Sequence, residues 1–203
     1  MSDCGCSAGE AKTKAEQRVL RVALGLNATM FVVGMAGGLV ARSSGLIADS
    51  LDMLADATAY AIALTAVTRG DVFKARAAGL SGVLLLVLGL AVLGDAGRRA
   101  LMGNAPEGAI MIAVACLSLI VNTVVLGMLG KVRDGGVHLN ASWIFTRVDV
   151  VANIAVVISG IAVLWSGIRF IDLVVGAAIG LYVIKEAFEI LGQARSARRT
   201  AEA

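Results

Sequence analysis

The chain has 203 residues, of which 58% are hydrophobic and 16% charged, with a mean hydropathy of +0.85 and a single proline. A soluble domain is nearer half apolar and about a quarter charged, so this composition excludes an ordinary soluble domain and points to an integral membrane protein. The net charge of +3 is modest and gives no sign of nucleic-acid binding, and three cysteines, two of them at the extreme N-terminus, make no disulfide framework.

Residues 1–17 read as a polar tail, expected to be disordered and without a cleavable signal. The tail holds Cys4 and Cys6 in "MSDCGCSAG". Two thiols one residue apart can capture a soft or borderline metal in a reducing compartment, although Cys-x-Cys is a weaker pattern than a spaced Cys-x-x-Cys. Six apolar runs follow, each near the roughly 20 residues a helix needs to cross the hydrocarbon core. The first, about 19–41, carries Asn27 in "LGLNATMFVVG" and the small-residue face "GMAGG". The second, about 45–68, carries Asp49, Asp52 and Asp56. The third, about 77–96, is long and glycine-bearing, with Asp95 near its end. The fourth, about 108–130, holds Cys116, read as a small core residue, and Asn122, read as an interhelical hydrogen-bonding group. His138, the only histidine, stands just before the fifth run, about 140–166, which contains Arg147, Asp149 and Asn153. The sixth, about 171–192, pairs Gly176 with Gly180 in a Gly-x-x-x-Gly spacing. Residues 193–203 form a short basic tail. The expected fold is an all-α integral membrane protein with six transmembrane helices, its membrane domain covering residues 18–192.

Lys12, Lys14, Arg18, Arg21, Arg69, Lys74, Arg76, Lys131, Arg133, Arg195, Arg198 and Arg199 fall on the side of the termini, against Arg42, Arg98, Arg99 and Arg169 on the other. The excess of basic residues places both termini in the cytoplasm.

At about 100° per residue, Asp49, Asp52 and Asp56 occupy a sector of the second helix only about 60° wide. An aspartate at the bilayer centre costs about 2.5–3.5 kcal/mol, so three on one face call for a compensating partner. Asp49, about one turn into the run, also fits a hydrated helix end. On the fifth helix Asn153 lies one turn from Asp149 on the same face. Two helices offering oxygen ligands to each other can hold a divalent cation. Arg147 projects to a different face and is expected to reach head groups or a neighbouring acid. His138 stands at the mouth of this pathway, a candidate ligand or proton acceptor near neutral pH.

The phrases "DSLDMLAD", "FTRVD", "NATMFVVG" and "TRVDVVAN" resemble those of the cation diffusion facilitator (cation efflux) family, over about residues 18–192. In that family the second and fifth helices each present a ligand pair, His or Asp followed four residues later by Asp. The resemblance implies Asp52 and Asp56 as one pair and Asp149 as the second member of the other, with Phe145 standing where its first member would be. Three carboxylates then form the core metal site. Asn153, Asn27 or water are candidates for the fourth position, and Asp49, His138, Cys4 and Cys6 are accessory candidates for metal or proton. It also implies a short bacterial member lacking the usual C-terminal cytoplasmic domain.

The function implied is export of a divalent metal, zinc or cadmium first, from the cytoplasm across the inner membrane by antiport with protons. Carboxylates that bind metal when ionised release it when protonated. No nucleotide-binding motif appears and no permanently bound cofactor is expected. An oxygen-only site leans instead towards manganese, iron or cobalt. The alternative is a membrane-embedded, metal-dependent phosphotransferase acting on lipid head groups, which also uses clustered intramembrane aspartates. That pattern requires Gly directly after the second Asp, then Ala-Arg, and here Met53 follows Asp52. The partners expected are metal ions, protons, the bilayer and a second copy of the chain, with the Gly176–Gly180 face and the glycines of the third run as homodimer surfaces.

Overall fold

The computed structural model describes residues 4–41, 44–102, 108–168 and 170–202, with the side chains of 4–9, 11, 37–41, 44–48, 99, 102, 108–111 and 172 outside the description. The described residues form six α-helices: α1 (Cys4–Ala41), α2 (Ser44–Ala66), α3 (Asp71–Met102), α4 (Gly108–Gly130), α5 (Val137–Ser166) and α6 (Phe170–Glu202). One 3-10 turn, Arg133–Gly135, joins α4 to α5, and no strand occurs among the described residues. Each apolar run has become a helix, the element in which a continuous apolar segment satisfies its own backbone hydrogen bonds. Pro106, the only proline, lies outside the described residues.

Helix ends depart from expectation where local chemistry extends them. The tail expected to be disordered is helical from Cys4, built from the strong helix formers Ala8, Glu10, Ala11, Lys12, Lys14, Ala15 and Glu16, with Lys14 3.8 Å from Glu10 one turn away. At the other end α6 continues through the basic tail, where the Arg198 guanidinium donates to Glu202 at 2.7 Å. Helix α3 begins at Asp71, several residues before the apolar run, because an acid suits the positive end of a helix. Helix α5 begins at Val137, preceded by Gly136 at φ 150°, a conformation that favours glycine. It ends at Gly167 in the left-handed region (φ 69°), whose N–H donates to the Val163 carbonyl at 2.8 Å.

Among the described residues four stretches are long and apolar enough to cross a membrane: Lys12–Ala36, Asp71–Arg98, Ile112–Gly130 and Val137–Ser166. Helices α2 and α6 fall short on charge, α2 through Asp49, Asp52 and Asp56 and α6 through Lys185, Glu186 and Glu189.

Helix α1 packs on α2, α4 on α5 and α3 on α6. The third of these pairs is a glycine seam. A Cβ on Gly82 would come within 3.0–3.1 Å of Leu191 and Ile190, one on Gly89 within 2.8 Å of Ile184, and one on Gly180 within 2.7 Å of Leu93. Gly176 faces Ala96 and Gly79 faces Ala194, each at 3.8 Å. The glycine faces expected to mediate self-association are therefore used inside the chain, because only glycine lets two helix backbones approach this closely.

Two apolar clusters fill the interior. One joins Ala59 of α2, Ala78 and Leu85 of α3, Ile144, Phe145 and Val148 of α5, and Val183, Ala187 and Ile190 of α6. The other joins Leu20 and Ala23 of α1, Tyr60, Ala63 and Val67, Val125 and Leu129 of α4, and Leu139.

Candidate metal site between α2 and α5

Asp56 of α2 is fully buried and Asp149 of α5 is 6% exposed. Their carboxyl groups interact with each other across the α2–α5 contact. Both oxygens of Asp56 and Oδ2 of Asp149 receive no protein donor. Two acids removed from water without donors need a cation or a proton between them. Asp52, one turn earlier on α2, is half-buried and within electrostatic reach of both. Among the described residues no three His, Cys, Asp or Glu side chains converge into a metal-holding group. The arrangement is a facing pair with one flanking acid.

Asp49 turns elsewhere. The Ser118 hydroxyl of α4 sits 2.8 Å from its Oδ1 and 3.0 Å from Oδ2. The three aspartates share one helix face, as their spacing predicts, yet that face is wide enough to address two neighbours.

The candidates for a further ligand are placed differently. Asn27 of α1 is fully buried; its Nδ2 donates to the Ala23 carbonyl at 3.0 Å and its Oδ1 has no partner. Asn153 is half-buried, one turn beyond Asp149. Phe145 belongs to the apolar cluster that includes α3 and α6 residues, so core packing takes the place a first ligand of the fifth-helix pair would have. The side chains of Cys4 and Cys6 lie outside the described residues. His138 is not a loop residue: it sits in the first turn of α5, 1% exposed, with neither ring nitrogen partnered. Arg147 reaches a neighbouring acid, donating to Glu186 of α6, and its guanidinium lies 5.1 Å from the Trp143 ring centroid.

One pair of residues escaped the sequence reading. The Tyr60 hydroxyl lies 2.8 Å from Thr146 Oγ1, both side chains fully buried. Tyr60 is four residues after Asp56 and Thr146 three before Asp149, so the pair is the next turn of the same helix contact. That spacing was the available signal.

A model of the cation efflux transmembrane domain matches residues 20–72 and 73–197. The chain is 27% identical over 187 residues to the metal cation efflux system protein CzcD of Cupriavidus metallidurans, covering 86% of this chain and 59% of that protein. The cation efflux system protein CzcD of an Alcaligenes species matches with the same identity and coverage. The chain thus spans about three fifths of the length of these curated relatives. The family match extends over all six helices, including the facing acids of α2 and α5, and the chain belongs to the cation efflux family, whose members are transporters and not enzymes.

Proposed function

We propose that the protein exports a divalent metal cation, zinc or cadmium foremost, from the cytoplasm in exchange for protons. The observation that carries this reading is the buried pair Asp56 and Asp149, two acids from different helices facing each other with both oxygens of Asp56 and Oδ2 of Asp149 lacking a protein donor. Such a pair binds a cation when ionised and releases it when protonated, so metal and proton compete for the same oxygens. Asp52 serves as the third core ligand, with Asn27, Asn153 or water completing the shell. The relatives named for metal cation efflux support the same cargo class. All six helices span the inner membrane in this reading, with both termini in the cytoplasm and the buried acids Asp56 of α2 and Glu186 of α6 turned into the bundle. The transporter works as a homodimer, which associates through surfaces other than the α3–α6 seam.

Zinc uptake into inverted membrane vesicles under an imposed proton gradient tests the reading. Asp56→Ala and Asp149→Ala proteins, present at normal levels, abolish uptake; retained uptake in Asp149→Ala refutes the two-helix site. Competition by cadmium, manganese and cobalt in the same assay assigns the metal.

A further inference from the structure

Helices α2 and α5 run antiparallel at the acid pair. Moving one turn forward on α2, from Asp56 to Tyr60, corresponds to moving one turn back on α5, from Asp149 to Thr146. Further on, Ala63 and Val67 of α2 share a cluster with Leu139 of α5. The Tyr60–Thr146 contact therefore lies between the acid pair and the end of the bundle where α5 begins.

A polar stripe approaches the contact from that end. His138, Ser142 and Thr146 succeed one another at four-residue intervals and lead to Asp149, all of them buried. The Ser142 hydroxyl donates to the His138 carbonyl at 3.1 Å, and the Thr146 hydroxyl to the Ser142 carbonyl at 2.9 Å. Thr146 has one hydroxyl proton and has committed it to its own helix, so in the bond between the two hydroxyls Tyr60 is the donor. Tyr60 is among the largest fully buried side chains, and its hydroxyl meets the stripe at Thr146, one turn short of the acids. Ala59 and Ala63, its buried neighbours on α2, are small, so the phenol supplies most of the buried volume of that turn.

We propose that Tyr60 and Thr146 form a latch that closes the acid pair off from the end of the bundle where α5 begins, and that the His138–Ser142–Thr146 stripe is the route by which the cation reaches the pair from there. The proposal rests on the transport reading above. It assigns Tyr60 a positioning role: the residue sets how fast the cation passes and contributes no ligand atom. A latch raises the barrier for binding and release equally, so its loss speeds both and leaves the equilibrium constant unchanged.

The test uses zinc bound to the purified full-length protein in detergent, followed during a chase with excess EDTA, alongside equilibrium zinc binding. Tyr60→Phe and Thr146→Val each remove the bond and keep the shape. Each is expected to release zinc about five- to tenfold faster, the range set by one buried hydrogen bond. Zinc affinity stays within about twofold of the native value, since the bond is absent from the metal shell. The double variant is no faster than either single one, and Thr146→Ser, which keeps the hydroxyl, restores the native rate. Unchanged release rates, additive effects in the double variant, or a tenfold loss of affinity in Tyr60→Phe would each overturn the latch. Zinc binding that survives Asp56→Ala instead overturns the site reading and the latch with it.

Discussion

Replacing Arg147 by Met removes the cation that Glu186 holds inside the α5–α6 contact. The Glu186 side chain is 3% exposed, and Arg147 is 33% exposed. Breaking a buried ion pair from one side leaves an uncompensated charge and costs about 3–5 kcal/mol. Two features reduce that figure here. Arg147 is partly exposed, and Lys185, 73% exposed, remains 3.6 Å from the other Glu186 oxygen. The lost stacking on Trp143 is also partly retained, because Arg133 covers the same ring at 4.8 Å. The net loss expected is about 2–3 kcal/mol. For a chain of this size that lowers the unfolding midpoint by about 5–10 °C. The reverse change, Glu186→Gln, leaves an acceptor for a guanidinium that already reaches water, and costs under about 1 kcal/mol. Thermal unfolding of the purified variants, followed by circular dichroism in detergent, measures the difference. Equal losses for the two variants, or a loss below about 0.5 kcal/mol for Arg147→Met, would refute the assignment of Glu186 as the buried and dependent partner.

Asp49→Asn preserves an acceptor for Ser118 and is expected to keep transport within about threefold of native; a loss as deep as that of Asp56→Ala would return Asp49 to the metal shell. Zinc affinity should fall as the pH drops from about 8 to 6, because the ligands must be deprotonated to bind metal; isothermal titration showing no pH dependence would remove the competition on which antiport depends. Gly89→Ala places a methyl 2.8 Å from Ile184 Cγ1 and 3.2 Å from the Ile184 backbone nitrogen, and is expected to destabilise by about 1–3 kcal/mol. Gly25→Ala meets nothing within 4 Å and should be neutral or stabilising by up to about 1 kcal/mol, so equal behaviour of the two would argue against the seam.

The six helices were legible because apolar runs of this length leave the backbone no other way to satisfy itself. Their ends were not, since hydropathy is silent about helices that continue in water: α1 starts at Cys4 and α5 takes in His138. The Asp52–Asp56 spacing put both acids on one face of α2, and the structure brings Asp56 of that face against Asp149 of α5. What the spacing could not show is which neighbour each acid meets. Asp49 finds Ser118, a hydroxyl 69 residues away whose side chain carries no signal of its own. Tyr60 and Thr146 were passed over for the opposite reason: each reads as an ordinary helix residue until the facing turn is known. The glycines of α3 and α6 signalled close approach, but a Gly-x-x-x-Gly spacing does not say whether the approaching helix belongs to the same chain.

The seam between α3 and α6 also has a mechanical meaning. Its contacts run in strict order, Gly79 on Ala194, Gly82 on Ile190, Gly89 on Ile184, Leu93 on Gly180 and Ala96 on Gly176. Sliding one helix past the other by a single residue, about 1.5 Å, would carry Leu93 and Ile184 off Gly180 and Gly89, the glycines that make room for them. The two helices are geared together, and they can tilt or translate only as one strut. In the transport reading, a movement that turns the acid pair from one face of the membrane to the other would pivot where α2 and α5 lean on that strut, leaving its internal register intact.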